Sequence, residues 1–452
     1  MEYNEASIVF NIRAQEVIIK VLIFFIAFAT GFIFLISAGH GLTSDDSQYD
    51  TLAWNLASGH GYSLDSHQPY GATNLREPGY IVFLYLIYKI FGHNVQIAYF
   101  IQILLFSLSC IFVFFITKKI FNEQIAKYAA ILTAICPTLA NYAVYLYSES
   151  FFIFLLTFSI FALIYAKNSR SLYWYAFSGL LLGMVVLCKA VMLFFIVPAI
   201  FYLYSNNGRL KIILLVSVFC MAVIPWMFRN YYIFGTFNLA SRGEMNLLIR
   251  AYKTDYCFQD IKKTITYSYS EHLGSKFFPN PTAMRARDVL FQEDYRVYNR
   301  YSELVKEGKS SSEISKIITQ EALYKIKEHP IKYLLQTPVE LFRLMLFMYL
   351  PALWEKNIVD RFIDIQGGLS FLSIIRGIYR SSSFIVLLLA FVGMYARRMY
   401  WKKDFIILAV ILYINFIYSV LNAHSRYSIP LIPFYLMFAS VGIMAILKRR
   451  VD

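Results

Sequence analysis

Apolar runs of about 18 or more residues recur along this chain, each bounded by polar or basic loops, and a run of that length suits a helix crossing the ~30 Å hydrocarbon core of a bilayer. Few folds accept such runs, because backbone groups in lipid must be satisfied inside helices or closed barrels. Hydrophobic residues make up 58% of the 452 positions and charged residues 15%, against about 25% charged in soluble domains. The reading is an all-α polytopic membrane protein. The net charge of +14 sits in short loops between apolar runs, as in cytoplasmic loops. No basic, aromatic-interleaved module accompanies it, so nucleic-acid binding is excluded as a function. Cys110, Cys136, Cys188 and Cys220 lie in apolar runs and Cys257 stands alone, which gives neither a disulfide framework nor a metal-ligand spacing.

Basic residues orient the spans. Arg13 and Lys20 put the N-terminus inside, and the first span, 17–38, reads as uncleaved. A polar outer loop, 39–77, follows. Segment 78–92 is short for a span and reads as an interfacial or partly inserted helix. Further spans are expected at 96–117, 127–145, 149–166, 172–188, 190–205 and 212–228. Region 230–330 is polar and falls outside by parity. Segments 331–353 and 361–377 are either a pair of spans or interfacial helices, and 383–396, 404–421 and 429–447 close the chain before Lys448-Arg449-Arg450. The total is ten to twelve spans, in an N-terminal module over 1–229, an outer-face region over 230–330 and a C-terminal module over 331–452.

The first outer loop is the most informative stretch. Tyr49, Leu52, Ala53 and Leu56 repeat at helical spacing and Gly59 is a C-terminal stop, so a short amphipathic helix should lie on the outer surface. Asp45 and Asp46 stand at its start. They either cap the helix and complement its dipole, or one of them is a general base that activates an acceptor. Asp45 precedes Tyr49 by four residues, which puts both on one face.

Arg76-Glu77-Pro78-Gly79-Tyr80 opens the short apolar helix. Arg suits phosphate, and a structural ion pair with Glu77 is the alternative. Glu149 starts a span, where a carboxylate is costly unless paired or functional, or it caps the helix with Ser148. Lys189 snorkels to the surface or faces phosphate. Arg229 and Arg426 depart from the positive-inside tendency and are candidates for an anionic headgroup. Together, Arg76, Lys189, Arg229 and Arg426 outline a basic outer cavity that faces at least one carboxylate. His40, His60 and His67 match no metal motif and read as surface residues. No phosphate-cradling glycine loop or hydrolase elbow is present in the sequence.

The stretch Ser44–Ser63, then Arg76–Tyr80, Tyr147-Ser148-Glu149-Ser150, Pro225-Trp226 with Arg229-Asn230-Tyr231, and Arg426-Tyr427 with Pro430 resemble landmarks of the GT-C superfamily. The nearest branches are the protein O-mannosyltransferase-like and aminoarabinose-transferase-like bacterial enzymes. The resemblance spans about 17–447 and is thinnest over 240–380. It implies a glycosyltransferase that takes a sugar from a polyprenyl-phosphate carrier and passes it, with inversion, to a glycolipid, polysaccharide or protein on the outer face of the inner membrane. It implies Asp45 as base or acceptor-orienting group with Asp46 as the alternative, and Glu149 as a second acidic group. Arg426, Arg229, Arg76 and Lys189 would hold the carrier phosphate, with Glu77, Tyr80 and Tyr427 beside them. Some members use a divalent metal and others do not; the first loop lacks a clear Asp-x-Asp. A transporter or flippase of a lipid-linked sugar, or an envelope-glycan polymerase or ligase, are the competing classes. A transporter is expected to show internal repeats and broken midplane helices, whereas the polar residues here gather at one edge.

Overall fold

The computed structural model describes residues 2–37, 44–204, 208–269, 274, 276–278, 291–346 and 371–447. His40, Asn206, Lys448-Arg449-Arg450, and the parts of segments 331–353 and 361–377 that fall on 347–370 lie outside the described residues. Among the described residues the regular elements are all helices. In chain order the helices are α1 (Glu2–Ser37), α2 (Ser44–Ala57), α3 (Pro78–Phe91), α4 (Val95–Ile120), α5 (Glu123–Ala134), α6 (Pro137–Tyr142), α7 (Ser148–Asn168), α8 (Leu172–Cys188) and α9 (Ile196–Tyr204). They continue with α10 (Arg209–Phe234), α11 (Arg242–Tyr252), α12 (Phe258–Tyr269), α13 (Gln292–Lys306), α14 (Ser311–Glu328), α15 (Pro330–Leu346), α16 (Phe371–Ala396), α17 (Trp401–Leu421) and α18 (Ile432–Ile446).

Among the described residues, six helices are long and apolar enough to cross a membrane, and four shorter apolar helices accompany them. This is the all-α polytopic membrane architecture expected from the apolar runs. Two expected elements differ. The span at 127–145 is broken: α5 ends at Ala134, and α6 begins at Pro137. Proline lacks an amide donor and biases its predecessor away from helix, so the chain bends at Cys136-Pro137. Residues 371–377 and 383–396 belong to one continuous helix, α16, rather than two elements.

Glycines allow the closest helix crossings. A Cβ on Gly393 of α16 would lie 2.0 Å from the Phe438 carbonyl oxygen of α18, and one on Gly442 would lie 2.1 Å from that of Leu389. On α8, Gly179 and Gly183 stand four residues apart, and Gly179 meets the Leu215 carbonyl oxygen of α10 at 2.3 Å in the same sense. Small residues at this spacing let helix backbones approach where lipid offers no hydrophobic drive. Gly393→Leu is expected to force α16 and α18 apart and lower the apparent Tm in detergent by at least about 5 °C, measured by thermal unfolding; an unchanged Tm would contradict the packing.

The described residues of region 235–329 form polar helices with their own small core, in which Met245, Leu248 and Ile249 of α11 pack with Val297 and Leu304 of α13 and Ile314 and Ile318 of α14. α14 starts with a capping box between Ser310 and Glu313. The first loop and the ends of α3, α7, α8, α10 and α17 all come together at the end of the bundle where this region sits. Ion pairs and hydrogen bonds join them there.

Candidate active site

The start of α2 supplies the first acidic groups. Its apolar face, with Tyr49, Leu52 and Ala53 buried, docks on α3, and Gly59 with φ +84° ends it. The amide of His60 reaches the Asn55 carbonyl at 2.9 Å and that of Gly59 reaches Leu56 at 3.3 Å, a Schellman closure. The loop then returns under Tyr62, whose hydroxyl donates to the Arg76 carbonyl at 3.0 Å. This route brings Arg76, 2% exposed, against the first turn of α2.

Arg76 does not pair with Glu77. Its guanidinium contacts Asp45 Oδ1 directly. It also donates to Gln48 Oε1 through Nε at 3.0 Å and Nη2 at 2.7 Å, and lies over the Tyr49 ring at 4.8 Å. The second Asp45 oxygen accepts from Arg426 Nη1 at 2.7 Å. Arg426 sits in the short 3₁₀ turn Ser425–Leu431 that precedes α18. Its Nε and Nη2 grip the two Glu149 oxygens at 2.8 and 2.7 Å, and its guanidinium covers the Tyr147 ring at 3.8 Å. Lys189, at the end of α8, donates to Glu149 Oε1 at 3.0 Å. The result is one alternating chain, Arg76–Asp45–Arg426–Glu149–Lys189, assembled from four separate parts of the sequence. A bidentate arginine fork is geometrically specific as well as charged, and Glu149, 1% exposed, tolerates burial because two cations hold it.

A fourth cation reaches the same place from α11. Arg242 donates to the Tyr298 hydroxyl at 3.0 Å and adds to the field on Asp45. Burial acts to raise the Asp45 pKa, but Arg76, Arg426 and Arg242 outweigh it and hold the carboxyl well below the usual range. Arg242 itself is disfavoured by burial, yet Tyr298, Asp45 and Tyr427 keep it charged beyond its ordinary value.

The remaining expected residues are distributed around this chain. Glu77 accepts from the Ala190 amide at 3.3 Å, just past Lys189. Asp46, next to Asp45 in the first turn of α2, is 1% exposed. Tyr427 stacks on Tyr418 at 4.4 Å beside Arg426. Two residues are engaged elsewhere. The Tyr80 hydroxyl points into the core and donates to Gln102 at 2.9 Å, and Gln102 in turn ties down the carbonyls of Ala143 and Tyr145. Arg229 donates to the Thr73 carbonyl and Asn230 Oδ1, both at 2.8 Å, and stacks over Trp226 at 4.7 Å. It braces the returning loop rather than facing the carboxylates. The sequence reading missed Gln48 and Arg242. Gln48 lies three residues after Asp45, on the same helix face, so a signal existed; Arg242 has no local signature.

An open apolar groove of about 370 Å³ lies between α3, α7, α8 and α10. Val82 of α3, Phe151 and Leu155 of α7, Met184 and Leu187 of α8 and Trp226 of α10 line it. Pro78 and Gly79 at the start of α3 also line it, and none of Asp45, Arg76, Glu149, Lys189 and Arg426 is among its lining residues. Among the described residues no three His, Cys, Asp or Glu side chains converge. The space between the Asp45 and Glu149 carboxylates is filled by the Arg426 guanidinium.

Residues 76–228, about a third of the chain, match the family model of dolichyl-phosphate-mannose-protein mannosyltransferases. No curated protein matches the chain by sequence. Among solved structures it is similar to the oligosaccharyltransferase of Archaeoglobus fulgidus in the apo form, with 12% identity, TM-score 0.52, and coverage of 95% of this chain and 50% of that one. The oligosaccharyltransferase AglB of Archaeoglobus fulgidus, in complex with an inhibitory peptide and a dolichol-phosphate, gives 11% identity, TM-score 0.52, and coverage of 96% and 51%. The first of these oligosaccharyltransferases, tethered to an acceptor peptide with the NVT sequon, gives 12%, 0.51, 95% and 50%. The chain thus spans about half the length of these structures. The matches bear out the resemblance to the GT-C superfamily read from the loops.

Proposed function

We propose that this chain is a GT-C glycosyltransferase. In this reading it moves a sugar from a polyprenyl-phosphate carrier to a cell-envelope acceptor (glycolipid, polysaccharide or protein) at the outer face of the inner membrane, with inversion at the anomeric carbon. The observation that carries the proposal is the alternating ion chain centred on Arg426; an apolar groove runs between α3, α7, α8 and α10, and α3, α7 and α8 begin or end within two residues of Arg76, Glu149 and Lys189. A lipid-phosphate sugar needs a greasy channel for its tail and fixed cations for its phosphate, and the same helices α3, α7 and α8 supply parts of both.

The acceptor hydroxyl or amine attacks the anomeric carbon, the carbon–oxygen bond to phosphate breaks, and the phosphate leaves with the electron pair. Arg426, Lys189 and Arg242 stabilise the charge that grows on it, in a site where fixed dipoles need no reorganisation. Asp45 takes the acceptor proton, and Asp46 is the alternative base. Glu149 holds Arg426 and Lys189 in place. Both Asp45 oxygens are tied to guanidinium groups, which makes a poor base. An arriving phosphate competes for Arg426 and Arg76 and releases a carboxylate oxygen. Donor binding therefore precedes proton transfer. Glu77 and Tyr427 shape the phosphate side, while Tyr80 and Arg229 support the scaffold through Gln102 and Thr73.

The test is sugar transfer in proteoliposomes, with a panel of polyprenyl-phosphate sugars and envelope-extract acceptors. New glycosidic product is expected. Movement of the lipid-linked sugar across the bilayer without product would replace this reading by the transporter. Because an arginine bridges the carboxylates, EDTA should leave the rate within about twofold; a loss restored by added Mg²⁺ or Mn²⁺ would refute the metal-independent form of the mechanism.

A further inference from the structure

The turn that carries Arg426 is gripped from its far side by a second buried charge cluster, which the mechanism above does not use. Glu340 of α15 accepts the Ala423 amide at 3.2 Å and Lys253 Nζ at 2.9 Å. Lys253, in the short turn after α11, also donates to Asn422 Oδ1 at 2.8 Å. Arg343 closes on the other Glu340 oxygen at 2.9 Å, and Gln336 fixes the Lys253 carbonyl at 2.7 Å. His424 lies between Asn422 at 3.2 Å and Asp294 of α13 at 3.1 Å, under the stacked ring of Phe291. The Lys253 and Glu340 side chains are each 5% exposed.

Buried charges are costly to keep, and replacing them with apolar groups often leaves a fold no less stable. The atoms held here are informative: a backbone amide and a side chain of the strap Asn422–His424. Arg426 follows within three residues, in a tight 3₁₀ turn closed by the Tyr427 amide on the His424 carbonyl at 2.9 Å. A lever so short passes any displacement of the strap straight to the guanidinium.

We propose that Lys253, Glu340 and Asn422 are positioning residues that set Arg426 between Asp45 and Glu149, so that the polar helices of 235–329 and α15 are coupled to the reaction centre. The catalytic consequence rests on the glycosyltransferase reading above; the mechanical one does not.

The full-length protein in nanodiscs tests both. The variants are Lys253→Met, Glu340→Gln, Arg426→Lys, and Lys253→Met combined with Arg426→Lys. The first readout is amide hydrogen exchange over residues 422–428. Lys253→Met should speed it by about tenfold while α17 and α18 exchange as in wild type. The second is steady-state transfer: kcat falls by about 10–100-fold with donor KM within about threefold, the pattern of a misplaced group that acts in the transition state. Added to Arg426→Lys, Lys253→Met should then cost less than about twofold more, because both act through one group. Should Lys253→Met fail to fold, Asn422→Ala removes one hydrogen bond of the same clamp and is read identically. Unchanged exchange over 422–428 in every clamp variant overturns the proposal, as do losses that simply multiply in the double variant. A wild type without transfer activity would instead refute the glycosyltransferase reading, and the exchange measurement would still decide the clamp.

Discussion

Replacing Asp45 by Asn is expected to lower sugar transfer by about 10²–10⁴-fold, the range a positioned general base contributes. The substitution keeps shape and volume, and Arg76 retains Gln48 at 2.7 Å and the Tyr49 ring. The first loop should therefore stay folded while the proton acceptor is lost. The measurement is the single-turnover rate beside a thermal unfolding curve, with Tm expected to fall by no more than a few degrees. Full activity in Asp45→Asn, with loss in Asp46→Asn, would transfer the role to Asp46.

The electrostatics add a pH signature. Burial pulls the Asp45 pKa upward, but the three arginines around it prevail, so the folded-state value lies below the unfolded one. A carboxyl lowered in this way stays ionised above that value. Its stabilising contribution is complete at neutral pH and is lost only as pH falls through the depressed value. The wild-type kcat/KM, which reports the free enzyme, should thus show no acid limb from Asp45 between about pH 5 and 8; an ionisation seen there in that window belongs to another group.

Arg426→Lys is the second large effect, with transfer down by about 10²–10³-fold, as when one oxyanion donor is removed. Charge is retained in this variant, but the fork is not. The guanidinium makes three separate contacts, two to Glu149 and one to Asp45, and a single ammonium cannot span both carboxylates. Arg426→Leu goes further, because it leaves the buried Glu149 with Lys189 alone; breaking a buried pair costs about 3–5 kcal/mol, so this variant should also unfold at lower temperature. A Lys variant at wild-type rate would mean that a point charge suffices and that the fork is structural.

Much of the architecture was legible in the chain. Hydropathy over a bilayer-length window located the spans, and 3.6-residue periodicity located α2 and its buried face. The same reasoning gathered Asp45, Arg76, Glu149, Lys189 and Arg426 at one edge, because each interrupts or borders an apolar run where charge is expensive. The partners of these groups were not legible. Arg426 binds Asp45 across 381 positions, and no local pattern records which helix ends converge. Arg242 lies in a polar helix with no feature to mark it, and only the packing of α11 over the first loop brings it to Asp45. Tyr80 and Arg229 carried the right chemistry in the right neighbourhood, yet tertiary packing turned one to Gln102 and the other to Thr73. Span, face and charge come from near neighbours and from the thickness of a bilayer, so the sequence by itself determined them. The site depends on distances between helix ends far apart in the chain, and only the tertiary structure decided those.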